Sequence, residues 1–205
     1  MTNPRTASFP SSTRRGFLLF AATGTAALAA GCLPRPAPVT YDLSPAAVQA
    51  AARRTSRTVL IAEPEAIQTY DTDRIVAREP GGVLSYLPSA QWSDRLPRLV
   101  QTRMVQAFQD AGISNIGRTT DPLNPDRVLS SDIRAFEVDV SAGRLAVVSI
   151  SVRLVDDWDR RIVASSAFTA SVPVPGTGAA EAVPALNAAL AQVLDQVIAW
   201  TVRNT

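Results

Sequence analysis

Leu145-Ala146-Val147-Val148-Ser149-Ile150-Ser151-Val152-Arg153-Leu154-Val155 is the stretch on which the fold turns. Val148, Ile150, Val152 and Leu154 share one side of an extended chain, and Ser149, Ser151 and Arg153 share the other. That period of two predicts a half-buried strand. The segment before it, residues 128–140, predicts a second strand. Its apolar parity changes between Ile133 and Phe136, so a β-bulge is expected there. Ser141-Ala142-Gly143-Arg144 supplies the hairpin turn between the two. On the other side, Asp156-Asp157-Trp158-Asp159-Arg160 turns the chain into a third strand over 161–172.

The run Pro173-Val174-Pro175-Gly176-Thr177-Gly178 ends the sheet, and a final helix is expected over 179–202. Val183, Leu186, Leu190, Val193, Val197 and Trp200 form its apolar stripe, with Pro184 in its first turns. Upstream, Val39-Thr40-Tyr41-Asp42-Leu43 reads as a short first strand. Residues 57–62 read as a buried β-branched strand ending before Pro64. Arg74-Ile75-Val76-Ala77-Arg78 is a further strand, Glu79-Pro80-Gly81-Gly82 a turn, and residues 83–87 its hairpin partner, closed by Pro88.

A helix follows, capped by Ser93 or Asp94, with Pro97 confined to its first turn. Leu96, Leu99, Val100, Met104, Ala107, Phe108 and Ala111 line one face, and Gly112 stops it. This order of elements predicts an α+β fold. The expectation is an antiparallel sheet with two main helices packed on one face, in a single domain over 56–205.

The N-terminal part has a different character. Residues 1–31 hold Arg5, Arg14 and Arg15 and no acidic residue. A stretch of small and apolar residues from Gly16 to Gly31 then leads to Cys32. A basic head, a short apolar middle and small residues before a cut site are the layout of a secretory signal peptide. The apolar run falls short of the roughly 20 residues a membrane span needs. Ser12-Thr13-Arg14-Arg15-Gly16-Phe17-Leu18 resembles the twin-arginine export motif, so Arg14 and Arg15 are the export-signal residues. Ala29-Ala30-Gly31-Cys32 resembles a bacterial lipobox, with Cys32 as the lipid attachment site. Several acyl chains on one cysteine would hold the protein to a membrane, since each buried methylene contributes about 0.8 kcal/mol. Residues 32–55 are expected to be the lipid anchor, a Pro-rich spacer (Pro34, Pro36, Pro38) and a lead-in to the domain.

Composition narrows the function. All 20 basic residues are arginine, and 18 residues are acidic. Without the leader, 17 arginines face 18 carboxylates, a side-chain balance of −1, so no nucleic-acid surface is indicated. With one cysteine, no intramolecular disulfide can form. Histidine is absent, which excludes Ser-His-Asp and Cys-His catalysis and His-containing zinc sites. Asp156, Asp157 and Asp159 are the densest acidic cluster. They lack the glycine and distal glutamate of a calcium loop and read as a solvated turn. No active site, metal site or cofactor site is visible, and the protein is expected not to be an enzyme.

Tyr86, Trp92, Arg95 and Arg98 lie close together before and at the start of the first helix. Aromatic residues with arginine are enriched at interface hot spots, so these four are the candidate partner contacts. The competing reading places Trp92 beneath the helix as an aromatic plug.

Several segments together resemble the ABC-type transport auxiliary lipoprotein family. They are Tyr41-Asp42-Leu43, Asp73-Arg74-Ile75-Val76-Ala77-Arg78, Ala90-Gln91-Trp92-Ser93-Asp94-Arg95-Leu96-Pro97, Ile133-Arg134-Ala135-Phe136-Glu137 and the late Ala-rich helix. Tyr70-Asp71-Thr72-Asp73 stands where the family often has Tyr-Leu-Asp. The resemblance implies a periplasmic domain held at the outer membrane rather than the inner. It would be a non-enzymatic subunit working with an ABC ATPase, a permease and an MCE-domain protein on phospholipid or other hydrophobic molecules. A periplasmic lipid-binding carrier is the alternative, and self-association into a homo-oligomer is left open.

Overall fold

The computed structural model describes residues 37–45, 55–141 and 143–205. The expected leader 1–31, with Arg14 and Arg15, and the expected anchor residue Cys32 lie outside the described residues. The strands are β1 (Val39–Tyr41), β2 (Val59–Ile61), β3 (Glu65–Ala66), β4 (Arg74–Arg78), β5 (Leu84–Trp92), β6 (Ile116–Arg118), β7 (Arg127–Asp139), β8 (Leu145–Asp156) and β9 (Ile162–Pro173). Two helices accompany them, α1 (Leu96–Asp110) and α2 (Ala179–Asn204), and Ala37–Thr205 is one compact unit.

The stretch that decides the fold behaves as its alternation requires. Val148, Ile150, Val152 and Leu154 of β8 are all fully buried. β8 pairs antiparallel with β7 on one side and with β9 on the other. The expected bulge is present: the β7–β8 register shifts between Ile133 and Ala135. It lets Ile133 and Phe136, of opposite parity, both turn into the core.

The sheet is α+β as expected, but it is mixed rather than purely antiparallel. β2, β3 and β4 are laid end to end along the other edge of β7, all parallel to it, with Val59 opposite Arg127, Glu65 opposite Asp132 and Val76 opposite Glu137. Apolar alternation reports that a segment is a strand and which side it buries, but not its direction. Direction here comes from the connections. α1 carries the chain from β5 to β6, which runs opposite to β5 and in the same direction as β2, β4 and β7. β6 accordingly pairs parallel with β2.

The helices do not share one face of a flat layer, which corrects the second part of the expectation. The sheet is curled, and each helix follows a different stretch of it. α2 runs over β8 and β9, whereas α1 packs at β2 and β6 and touches α2. Ala182, Leu186, Ala189, Val193, Leu194 and Val197 of α2 are fully buried. The Glu181 carboxylate accepts the Gly178 N–H at 3.1 Å and ties the start of α2. At its other end, α1 stops at Gly112, whose φ of +82° suits a residue without Cβ.

β5 is longer than its sequence suggested. Pro88 does not close it; the strand continues to Trp92. Val76 faces Tyr86 while Arg74 faces Gln91, so extra residues of β5 bulge out around Pro88 and Ser89. A proline lacks the N–H a ladder would use and is tolerated at such a bulge, where Ser89 adopts a φ of +54°. Beyond the bulge β5 gains β1 as a parallel partner, with Tyr41 opposite Trp92.

Candidate functional site

The four candidate contact residues differ in burial once folded. Trp92 is 2% exposed and meets Phe136 edge to face, with centroids 5.9 Å apart and planes at 85°. Its side chain is therefore in the core and not presented outward. Tyr86 is half-buried on β5, with the Arg74 guanidinium 3.9 Å over its ring. Arg95 and Arg98 stay at the surface, both already engaged. The Arg95 guanidinium grips Asp71, with Nε 2.8 Å from Oδ1, and reaches Glu63 at 3.4 Å. Arg98 pairs with Asp94 at 3.2 Å one helical turn back.

Asp94 also accepts the Arg95 N–H at 2.7 Å. That backbone bond, with Arg98 second, holds its carboxyl below the usual carboxylate range. Neither Ser93 nor Asp94 caps α1; Arg95 is the residue at its start and offers no side-chain cap.

A buried polar cluster escaped the sequence reading. Glu137 on β7 is 3% exposed, and both its oxygens are used. The Tyr70 hydroxyl donates to Oε2 at 2.6 Å, Arg78 Nη2 donates to the same oxygen at 3.1 Å, and Arg78 Nε donates to Oε1. Burial, followed by the hydrogen bond and charge of Glu137, pushes the Tyr70 phenol up to about 12. The Glu137 bond raises the Arg78 guanidinium. Arg78 and Glu137 are the last residues of the two strand motifs quoted above, and β4 and β7 bring them side by side.

The other motif residues are spent in the same way. Leu43 is fully buried, while the Asp42 carboxylate accepts from its N–H at 2.9 Å, from the Ser93 hydroxyl at 3.1 Å and from Arg103 Nη2 at 2.6 Å. The acidic turn is likewise committed. Asp156 accepts the Trp158 N–H at 2.9 Å and pairs with Arg127; Asp157 pairs with Arg160 at 3.2 Å and Asp159 with Arg161 at 2.6 Å. Among the described residues no group of three or more His, Cys, Asp or Glu side chains is gathered as a metal site.

Fold and site together define an α+β domain whose motif residues hold the sheet and its helix together. The chain belongs to the ABC-type transport auxiliary lipoprotein component family, whose model matches residues 41–198. An uncharacterized protein of Bradyrhizobium diazoefficiens, bll6063, is 32% identical over 169 residues, which make up 80% of this chain and 45% of that protein. The chain therefore spans less than half the length of this relative. Protein XCC0632 from Xanthomonas campestris matches in structure with a TM-score of 0.76 at 28% identity, over 81% of this chain and 95% of that one. A second solved, uncharacterized protein shares the fold with a TM-score of 0.64 at 14% identity, over 80% of this chain and 99% of its own.

Proposed function

We propose that this chain is the periplasmic, outer-membrane-anchored auxiliary subunit of an MCE-type ABC transport system for phospholipid or other hydrophobic molecules, and that it works by docking rather than by catalysis. The family match across residues 41–198 carries the reading. The leader and Cys32 support export and lipid attachment, and Leu33 after the cysteine supports the outer membrane. The absence of histidine, and the engagement of the acidic turn by arginines, support a role without catalysis. The exposed surface around Arg95 and Arg98, with the Arg74–Tyr86 stack, is the proposed partner contact; Trp92 supports it from beneath.

A lipid carrier would need an apolar cavity between helix and sheet. In this structure Leu186, Leu190, Val193 and Val197 of α2 are 0–2% exposed, beside an equally buried row on β8. The test is affinity purification of the detergent-solubilised lipidated protein from its native membrane, followed by mass spectrometry. Recovery of an MCE-domain protein with ABC subunits is expected. A preparation that retains lipid and no transporter subunit would replace the docking role with the carrier.

A further inference from the structure

β1 runs parallel to β5, with Val39 opposite Ala90 and Tyr41 opposite Trp92, so the chain enters the sheet from the end where β5 begins at Leu84. That end is built from three turns, 79–83 between β4 and β5, 140–144 between β7 and β8, and 174–178 between β9 and α2. Register and hydrogen bonds gather them. Arg78 lies opposite both Leu84 and Asp139, the Val140 N–H donates to the Arg78 carbonyl at 2.9 Å, and the Val174 N–H donates to that of Arg144 at 3.0 Å. In the first turn the Glu79 N–H donates to the Val83 carbonyl at 2.8 Å and closes a tip whose residues Pro80, Gly81, Gly82, Val83 and Leu84 are all exposed and uncharged. Val83 is 60% and Leu84 38% exposed. The three turns hold two charged side chains, Glu79 and Arg144, and both are engaged. Glu79 accepts from the Ser85 hydroxyl at 3.1 Å, and Arg144 Nη2 donates to the Thr177 carbonyl at 2.9 Å. The opposite end of the sheet differs. There the segments 119–126 and 157–161, joined by the Asp157 N–H donating to the Asp126 carbonyl at 3.2 Å, carry four aspartates and two arginines.

We propose that the uncharged end is a bilayer-contact surface, with Val83 and Leu84 at the β4–β5 tip entering the headgroup layer of the membrane that holds the chain. This rests on the lipid at Cys32 in the proposed function. The occupant follows from where the described chain begins. Cys32 precedes Ala37 by five residues, a span of at most about 18 Å even when fully extended. A lipid on Cys32 therefore keeps the domain beside the membrane, and β1 leads into it from the uncharged end. Bringing one end of the sheet into a headgroup layer strips water from its side chains, which is costly for ions and favourable for aliphatic groups. The end with the 79–83 turn meets that demand. The other end does not: Trp158 is 96% exposed there, but it stands between Asp157 and Asp159. Two aliphatic side chains bury too little area to hold a domain at a membrane by themselves. Once the lipid tethers the domain, the tip meets the bilayer at high effective concentration, and the contact fixes which way the rest of the domain faces.

The test places a fluorescent label at one end of the lipidated protein at a time. Cys32 is the only cysteine, and with its sulfur carrying the lipid, Val83→Cys and Trp158→Cys can each be labelled singly. The proteins are reconstituted into vesicles of phosphatidylethanolamine and phosphatidylglycerol that contain a lipid spin-labelled at the headgroup. The label at 83 should be quenched several-fold more strongly than the label at 158. Equal quenching at the two sites, or stronger quenching at 158, in protein that floats with the vesicles would overturn the proposal and leave the anchor intact. Protein that does not float would overturn the anchor, and the contact with it. A second measurement isolates the tip. Val83→Asp together with Leu84→Asp, both at exposed positions, should leave flotation and the circular dichroism spectrum unchanged while abolishing the quenching of a label introduced by Thr177→Cys at the same end. Quenching at 177 that persists in this folded variant would refute the role of the tip. If the variant fails to fold, the comparison of 83 with 158 decides.

Discussion

At the scale of single residues, the Tyr70–Arg78–Glu137 cluster ties the segment before β4 to β7. A buried carboxylate is costly unless each lone pair is met, and here a phenol and a guanidinium share the work. Tyr70→Phe removes the phenol donor and leaves the ion pair, so a loss of about 2 kcal/mol is expected for a hydrogen bond to a charged acceptor. The pH dependence follows from the raised phenol. The fold favours its protonated form, from an ordinary 10.0 up to about 12. The stabilisation is therefore complete below pH 10 and is lost as the pH rises toward 12. Urea unfolding midpoints of wild type and Tyr70→Phe should converge over that window, and a constant gap between them would refute the assignment. This cluster was hard to read in the sequence because Glu137 lies 59 residues from Arg78 and 67 from Tyr70, and only the parallel docking of β4 on β7 brings it to them. Trp92 was ambiguous for a related reason: an aromatic next to arginines looks the same whether it faces a partner or the core.

At the scale of elements, periodicity carried most of the information. β8, its neighbours and α2 were legible because each buries one face over many residues, and the β7 bulge was legible because its parity breaks. β3 and β6 were not, since two or three residues hold no period; their pairing with β7 and β2 defines them. The end of α1 is a place where one residue's backbone decides an element. Gly112 sits at φ +82° with open space where a Cβ would be, so Gly112→Ala meets backbone strain and no clash. A destabilisation of about 1 kcal/mol is expected, the cost of an L side chain in the left-handed region. Thermal unfolding monitored by circular dichroism should show a lower midpoint with unchanged helix content. An unchanged midpoint would mean that the helix end shifts to escape the strain.

For the whole molecule, the proposed function rests location on Cys32, and the fold rests on the described domain. The described domain is built from α2 packed on the sheet, and the apolar residues of its motifs, such as Leu43, Ile75, Trp92, Leu96 and Phe136, are internal. α2 is long and apolar enough to cross a membrane, yet Leu186, Leu190, Val193 and Val197 are committed to the interior, so it offers no second anchor without unfolding. Membrane residence should then depend on Cys32 alone. On the proposed function, Cys32→Ser removes the sulfur that would accept the lipid, and with it a contribution of about 0.8 kcal/mol for each buried methylene of several chains. The variant is expected to leave the membrane pellet for the soluble fraction with its unfolding midpoint unchanged, as read by fractionation and circular dichroism. It should also lose co-purifying transporter subunits by more than a loss of affinity alone would cause. Tethering holds both partners at one surface and raises their effective concentration. A Cys32→Ser protein that remains in the pellet while folded would overturn the single-anchor account and point to a surface of the domain that binds the membrane directly.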